Sequence, residues 1–230
     1  MMDPQERAAY EELRVGFTAV VSHELRTPLA RMLALLETAL LPGADTHGLV
    51  EQAREQTLEM RELVDDVLFL SELESGREIV TLGYTHVLPV LEQLRDELAE
   101  RAERADVAFR VGGDASLQVP LRARMLRVVA ENLAVNALRY AGPRATFALE
   151  VRAEEGQVVL EAADDGPGVK EDDLPRLFER FYRSDRARAS RGTGLGLAIV
   201  KHIVVSAGGE VRALGGPGRG LQIVCRFPAP

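Results

Sequence analysis

The stretch FTAVVSHELRTPLARMLALLETAL, residues 17–40, places a histidine, a glutamate and a threonine inside an apolar helical pattern. Its apolar positions recur every three or four residues, which predicts one long helix from about residue 5 to residue 41. His23 and Glu24 are adjacent, Thr27 follows, and Pro28 removes a backbone N–H donor. Because a helix that only packs against others does not need this cluster, the stretch indicates chemistry as well as structure.

A second helix is predicted after a short turn. Pro42 and Gly43 end the first helix, and residues 49–73 carry a near-heptad apolar repeat. Two long helices joined by a short turn form an antiparallel hairpin, whose apolar stripes stay partly exposed unless two hairpins pair. For residues 1–75 we therefore expect a homodimer built around a four-helix bundle.

Residues 76–230 mix helices with strands. Helices are predicted at about residues 87–104, at about residues 121–140 and from near Gly194 onward. Alternating apolar and polar residues predict a strand hairpin and two further strands at TFALEVR (146–152), VVLEAAD (158–164), EVRAL (210–214) and LQIVCRF (221–227). This order predicts an α+β fold for the chain as a whole, with helices on one face of a sheet in an α/β sandwich.

The composition excludes several classes of function. A formal charge of -8 over 230 residues argues against non-specific binding to nucleic acid. The single cysteine, Cys225, excludes an internal disulfide and a cysteine metal cage, and its strand pattern predicts a small core residue. Since no apolar run reaches the roughly 20 residues that span a bilayer, we expect no membrane span in this chain and a cytoplasmic location.

The stretch SRGTGLGLAIV, residues 190–200, carries Gly192, Gly194 and Gly196 ahead of a helix. Glycines at a helix start let backbone N–H groups approach an anion, and the helix dipole favours negative charge there. The spacing matches neither the dinucleotide-binding fingerprint nor the P-loop. Taken alone, a flexible loop explains these glycines equally well.

The stretch ADDGPGV, residues 163–169, directly follows a predicted strand. Asp164 could accept a hydrogen bond from the exocyclic amine of a purine, while Gly166 and Gly168 let the ring approach the backbone. A plain turn, for which Asp, Gly and Pro are the usual residues, is the better interpretation of this motif by itself.

Two further motifs carry polar or basic residues that suit a nucleotide. In ENLAVNALRYA, residues 131–141, Asn132 and Asn136 share one helix face, with Arg139 and Tyr140 one turn further on. An Asn carbonyl together with nucleotide phosphates suits Mg²⁺. The segment after Phe178 and Phe181 could close over a polyphosphate with its arginines Arg183, Arg186, Arg188 and Arg191. A solvated surface explains either motif in isolation.

In their order along the chain, the Asn helix, the Asp-x-Gly-x-Gly turn, the Phe pair and the Gly-x-Gly-x-Gly helix start resemble the N, first glycine, F and second glycine boxes of the sensor histidine kinases. SHELRTPL, residues 22–29, resembles the phosphoacceptor box of the same family, so the resemblance extends from about residue 15 to residue 227. It implies a dimerisation and histidine-phosphotransfer hairpin over residues 1–75. Residues 76–230 would form an ATP-binding domain of the type shared with gyrase, chaperone and mismatch-repair ATPases.

The resemblance implies a role for each residue of the phosphoacceptor box. His23 would accept the γ-phosphoryl group of ATP, and Glu24 would hold and polarise the other ring nitrogen. Thr27 would position water that removes phosphate from the partner. The phosphohistidine would pass its phosphoryl group to an aspartate in the receiver domain of a response regulator.

The resemblance also assigns the nucleotide site. Asp164 would bind the adenine amine, and Asn136 would bind Mg²⁺. The other implied contacts are Asn132 and Arg139 near the phosphates, Tyr140 against the base, Gly166 and Gly168 in the first glycine box, and Gly192, Gly194 and Gly196 under the lid. Asp165 stands where the family commonly has Asn, which adds a negative charge near the pocket.

Three alternatives remain open. An ATP-driven conformational machine would hydrolyse ATP without phosphorylating itself, and a dimeric scaffold would bind ATP and transfer nothing. Within the family, the balance could favour the phosphatase activity. SHELRTP on a dimeric hairpin favours the kinase, with residues 74–79 as the joint that lets the ATP domain reach His23 and Pro28 as a bend in the helix.

Overall fold

The computed structural model describes the backbone of residues 4–78, 80–81, 83–185 and 192–230, and the side chains of these segments from Val20 onward. Contacts divide the chain into two compact units, Met1–Phe69 and Leu70–Pro230. The elements in chain order are α1 (Pro4–Ala39), α2 (Thr46–Glu74), β1 (Thr85–His86), α3 (Val87–Glu97), α4 (Ala99–Ala105), β2 (Val107–Gly113), β3 (Gln118–Val119), α5 (Ala123–Tyr140), β4 (Ala145–Glu154), β5 (Gln157–Asp164), the 3-10 helix η1 (Glu171–Phe178), α6 (Gly196–Ser206), β6 (Glu210–Gly215) and β7 (Leu221–Pro228).

The first unit contains the helical hairpin that the sequence predicts. Between residues 20 and 69, only Ala53 and Leu63 are buried. The exposed large apolar side chains of this unit are Val20, Leu29, Leu33, Leu36, Leu40, Leu41, Val50, Leu58, Val64 and Leu68. The exposed leucines Leu29, Leu33 and Leu36 of α1, with Leu40 directly after the helix, recur at intervals of four, three and four residues and so form one stripe.

Helix α1 continues through Pro28. Proline has no N–H, so the carbonyl of Glu24 loses its usual helical donor there. One residue earlier, the Thr27 hydroxyl donates to the carbonyl of His23 at 3.3 Å. A hydroxyl bond to the carbonyl four residues earlier often accompanies helix bending, so both features weaken the regular backbone pattern beside His23.

The second unit is built on a five-stranded sheet of order β2-β4-β5-β7-β6. Strand β2 pairs parallel to β4, and the remaining neighbours are antiparallel. Phe147, Leu149 and Val151 alternate along β4 and are buried on the side that faces the helices. This arrangement confirms the predicted α+β fold and the strand hairpin over β4 and β5.

The opposite face of the sheet is charged. Val159 of β5 lies between Arg152 and Arg226 on the neighbouring strands, and its side chain is fully buried there. The stems of the two arginines cover it, since long charged side chains shield apolar surface while the charge stays in water. Arg152 pairs with Glu161 at 2.5 Å and Arg226 pairs with Glu154 at 2.9 Å.

Some elements differ from the prediction. The single helix expected at about residues 87–104 is divided into α3 and α4 at Leu98, whose φ of -92° and ψ of 2° are not helical. Strand β2 was not predicted, although VAFRV alternates apolar and polar residues for part of its length. Cys225 is fully buried, as expected, and burial raises the pKa of its thiol to about 12. Among the described helices, none is long and apolar enough to cross a membrane.

Candidate nucleotide site and phosphoacceptor helix

Helix α5 places Asn132 against the start of α6. The Asn132 side-chain N–H donates to the carbonyl of Val128 at 2.8 Å, which fixes the orientation of the amide. Its oxygen then faces Gly196, where an added Cβ would lie only 2.5 Å from Asn132 Oδ1. The amide of Asn132 therefore lies directly against the first residue of α6, and a side chain at Gly196 would displace it. Asn136 lies one turn further along α5 and is half-buried.

The last turn of α5 also lies beside the glycine turn, which comprises residues 192–196 at the start of α6. Gly192 has a φ of +144°, which favours glycine. A Cβ at Gly192 would lie 2.6 Å from Arg139 Nη1 and 3.0 Å from the Tyr140 hydroxyl. The structure therefore brings Asn132, Arg139 and Tyr140 together with the glycine turn.

Asp164 ends β5 and is held by backbone donors. Its Oδ1 atom accepts a hydrogen bond from Gly166 N–H at 2.9 Å, and Leu221 N–H lies 3.4 Å away. Burial raises the pKa of the Asp164 carboxyl, the two N–H groups act against this rise, and the nearby charge of Asp165 adds to it. A carboxylate with little water around it is a strong acceptor for one well-placed donor.

The first glycine box lies beside the end of α5. A Cβ at Gly166 would be 2.5 Å from the carbonyl oxygen of Ala141, the residue that follows α5. Tyr140 lies beside Gly192. The aspartate turn, residues 164–168, and the glycine turn therefore both adjoin the C-terminal end of this one helix. Three motifs that are separated in the sequence therefore meet around α5.

The glycine-rich turn between β6 and β7, residues 215–220, was not predicted as part of the site. A Cβ at Gly220 would lie 1.8 Å from the Asp164 carbonyl oxygen, and one at Gly168 would lie 2.1 Å from the Gly216 oxygen. Gly218 N–H donates to Pro167 O at 2.8 Å. This turn therefore packs directly against the aspartate turn. Its four glycines in six residues were the available sequence signal.

Asp165, the departure from the family pattern, has a structural partner. Its carboxylate accepts the backbone N–H of Thr146 at 2.7 Å, and its own N–H donates to the Thr146 carbonyl at 3.2 Å. The side chain thus ties the aspartate turn to the start of β4. Its charge also contributes to the raised pKa of Asp164, as expected for a negative group near the pocket.

The F box lies between η1 and the glycine turn. Phe178 is buried at the end of η1, and Phe181 donates its N–H to the carbonyl of Gly194 at 2.9 Å. Phe181 has a φ of +62°, which is uncommon for a bulky residue. The predicted lid arginines Arg186, Arg188 and Arg191 lie outside the described residues.

The first unit carries the phosphoacceptor motif on α1. The His23 side chain is 75% exposed, and its Nδ1 atom lies 3.7 Å from Glu24 Oε1. This separation suits an ion pair but exceeds hydrogen-bonding distance. The imidazole is therefore accessible to a reactant, with a carboxylate beside one ring nitrogen.

The residues around α5 have the chemistry for Mg²⁺ shared with a ligand. The described residues hold no group of three or more His, Cys, Asp or Glu side chains that could bind a metal ion. The amide oxygen of Asn136, one turn along α5 from Asn132, is a hard ligand. Since Mg²⁺ commonly combines one or two protein ligands with phosphate oxygens and water, Asn136 fits this donor set.

Two family models match the chain. Residues 13–76 match the His Kinase A (phospho-acceptor) domain, and residues 122–230 match the Histidine kinase-, DNA gyrase B-, and HSP90-like ATPase. A solved structure with a similar fold is that of full-length ShkA in complex with AMPPNP. It has a TM-score of 0.68 and 28% sequence identity, covering 92% of this chain and 45% of ShkA.

Two relatives align with nearly the whole chain. The sensor-like histidine kinase SenX3 of Mycobacterium tuberculosis is 32% identical over 233 aligned positions, covering 99% of this chain and 57% of SenX3. The phosphate regulon sensor protein PhoR of Pseudomonas aeruginosa is 36% identical over 225 positions, covering 94% of this chain and 50% of PhoR. The chain thus spans about half the length of these curated relatives. With both domain matches in the same order as its two predicted regions, the chain belongs to the sensor histidine kinases and represents their catalytic core.

Proposed function

We propose that this chain transfers the γ-phosphoryl group of ATP to His23 and then passes it to an aspartate of a response regulator receiver domain. The observation that carries the proposal is the meeting of three separate motifs around the end of α5, in a chain that also presents an exposed histidine beside a glutamate. A scaffold or a hydrolytic ATPase would need the meeting of motifs that binds ATP, but it would not need the exposed histidine beside a glutamate.

Asp164 would select the base. Its ionised carboxylate would accept a hydrogen bond from the exocyclic amine of adenine, while the N–H group of Gly166 holds the carboxylate in place. Guanine presents a carbonyl at the corresponding ring position, so two acceptors would face each other there. Tyr140, beside Gly192, would pack against the base.

The glycine turn would hold the phosphates. Backbone N–H groups of Gly192, Gly194 and Gly196 lie at the N-terminal end of α6, where the helix dipole favours an anion. Asn132 and Arg139 border this turn and would contact the phosphate oxygens. Asn136 would hold Mg²⁺, which neutralises phosphate charge when it is bound.

The transfer step needs a neutral imidazole. One ring nitrogen of His23 would attack the γ-phosphorus, forming an N–P bond as the bond to the bridging oxygen of ADP breaks. Glu24 beside Nδ1 would hold a proton on that nitrogen, which leaves Nε2 as the nucleophile. The phosphoramidate formed is labile and suits onward transfer to a carboxylate. Thr27 would act in the reverse sense, positioning water for dephosphorylation of the partner.

We also propose that the chain is a homodimer in which two hairpins form a four-helix bundle. The exposed leucine stripe of α1 supports this, because a second hairpin would bury it. We assign residues 1–75 to dimerisation and phosphotransfer and residues 76–230 to ATP binding. The His Kinase A match, which ends at residue 76, supports this boundary, whereas contacts group residues 70–75 with the second unit. Because the reaction would use ATP, we infer that it takes place in the cytoplasm.

Incubation with γ-labelled ATP and Mg²⁺ tests the proposal. The kinase should acquire covalent label that is lost in acid and survives alkali, as expected for a phosphoramidate. Release of labelled phosphate with no protein-bound label would instead indicate an ATP-driven conformational machine. Nucleotide binding with neither outcome would indicate a scaffold.

A further inference from the structure

The end of α2 forms an ion pair with the F box. Residues 70–74 belong to the second unit by their contacts, and the Glu74 carboxylate accepts a hydrogen bond from the Arg180 guanidinium within that unit. Both side chains are partly shielded from water, with 24% and 39% of their surface exposed. Partial shielding strengthens an ion pair relative to one that is fully solvated.

Arg180 directly precedes Phe181, whose backbone is strained, in the chain. Phe181 follows it with a φ of +62°, and its N–H donates to the Gly194 carbonyl at 2.9 Å. The backbones are so close that a Cβ on Gly194 would lie 2.9 Å from Phe181 Cα. A bulky residue held at positive φ stores strain that its surroundings must offset. Movement of the glycine turn would therefore be transmitted to Arg180.

The chain after Glu74 is also anchored to the second unit. Gly76 has a φ of +68°, and Arg77 N–H donates to the Glu72 carbonyl at 3.0 Å, which closes the end of α2. The next residue, Glu78, pairs with Arg122 and Arg124, which flank the start of α5, at 3.2 and 2.8 Å. Glu74 is thus presented from an anchored segment, so its pairing with Arg180 restricts little additional motion.

We propose that Glu74, acting through Arg180 and Phe181, is a positioning residue for the nucleotide-binding glycine turn. The ion pair holds Arg180, Arg180 constrains Phe181, and Phe181 fixes the Gly194 carbonyl. Binding of ATP to the turn and closure of the ion pair then favour each other. This inference rests on the proposed function in one respect, that ATP binds at the glycine turn.

Thermodynamic linkage gives the effect a definite sign. If ATP binding stabilises the ion pair, loss of the ion pair must weaken ATP binding by the same factor. Partly exposed ion pairs contribute modestly, so a change in Kd of about two- to fivefold is expected. Bound ATP should in turn make the segment around Arg77 less accessible.

Calorimetric titration of the full chain with ATP and Mg²⁺ measures the first effect. Glu74→Gln and Arg180→Gln should each raise Kd about two- to fivefold, and the exchanged pair Glu74→Arg with Arg180→Glu should recover much of the loss. Arg152→Gln is the matched control, since it removes an arginine–glutamate ion pair from the sheet of the same unit, away from the glycine turn. Its Kd should equal that of the wild type.

Limited trypsin digestion measures the reciprocal effect. Arg77 is exposed, and ATP should slow cleavage after it in the wild type but not in Glu74→Gln. An unchanged Kd in Glu74→Gln would overturn the inference and leave the proposed function intact. Weaker binding in Arg180→Gln alone would also overturn it, because Arg180 would then act without Glu74. A wild type that binds no ATP would instead contradict the proposed function itself.

Discussion

The helical hairpin of the first unit and the second unit, Leu70–Pro230, here called the sheet unit, bury their apolar residues to different extents. In the sheet unit, Phe147, Leu149 and Val151 point inward along one strand, and arginine stems cover Val159 on the other face. In the hairpin, by contrast, the leucines of α1 form a stripe that the chain leaves exposed. The sheet unit therefore buries its own apolar core, whereas the hairpin leaves an apolar stripe that the proposed dimer would cover.

The chemical groups differ in the same way. His23 is largely exposed on the hairpin, where a reactant can approach it from solution. Asp164 is half-buried in the sheet unit and held by backbone N–H groups, and burial raises its pKa. Under the proposed function, the hairpin would present a phosphoryl acceptor beside its dimer surface, while the sheet unit would select the nucleotide. Changes in one region should leave the function of the other intact.

The largest expected effect comes from the hairpin surface. Leu33→Glu with Leu36→Glu places four charges in each dimer where apolar side chains would be buried. The dimer dissociation constant should rise by roughly a hundredfold or more, since each buried leucine contributes about 1.5–3 kcal/mol. Analytical ultracentrifugation measures this. Val205→Glu, at an exposed apolar position of the sheet unit, is the control and should leave the dimer unchanged. A wild type that is monomeric at high concentration would contradict the account of the hairpin.

The next effect is confined to the sheet unit. Asp164→Asn keeps an oxygen for Gly166 N–H but removes the negative carboxylate that would accept a hydrogen bond from the adenine amine. ATP affinity should fall roughly 10- to 100-fold, as expected when a hydrogen bond to a charged group is lost. Calorimetry measures affinity, and the dimer dissociation constant serves as the internal control. Equal ATP affinity in Asp164→Asn and the wild type would exclude Asp164 from the base site.

A pair of glycine substitutions compares the two regions directly. Gly194 and Gly43 have similar φ values of +70° and +81°, but a Cβ meets the Phe181 backbone only at Gly194. Gly194→Ala should therefore weaken ATP binding by roughly tenfold, because strain and displacement of the turn add up to about 1–2 kcal/mol. Gly43→Ala should lower hairpin stability slightly and leave ATP affinity unchanged. If both substitutions affect ATP affinity equally, the two regions are not independent.

The smallest effect is a pH dependence of ATP binding. Since Asp164 must be ionised to accept the amine, its raised pKa means that affinity declines on acidification at a higher pH than for an ordinary aspartate. The same carboxyl has the opposite effect on stability: its contribution to folding is largest below the unfolded pKa and is lost as pH rises through the folded pKa. Asp165→Asn removes a nearby charge, so the midpoint of ATP binding should shift to lower pH. An unmoved midpoint would show that Asp165 does not influence the Asp164 carboxyl.

Much of this division was predictable from sequence because local patterns carry it. The long apolar repeats indicated the hairpin, and the order of the motifs around Asn132, Asp164 and Gly194 indicated the candidate site. The support from the turn at residues 215–220 was not predictable, since it depends on the pairing of β5 with β7. Likewise, the positive φ of Phe181 was not predictable from the local sequence pattern, since it accompanies a contact with Gly194. Tertiary contacts of this kind connect segments that are far apart in the chain.

The central claim is that the sheet unit supplies a phosphoryl group that the exposed histidine of the hairpin accepts. Mass spectrometry after incubation with ATP and Mg²⁺, with trypsin digestion at neutral or alkaline pH, tests this most directly. The account predicts a single phosphorylated peptide, residues 15–26, with the modification on His23 and with none in His23→Gln. Phosphate on another residue, or an unmodified chain that nevertheless consumes ATP, would contradict it.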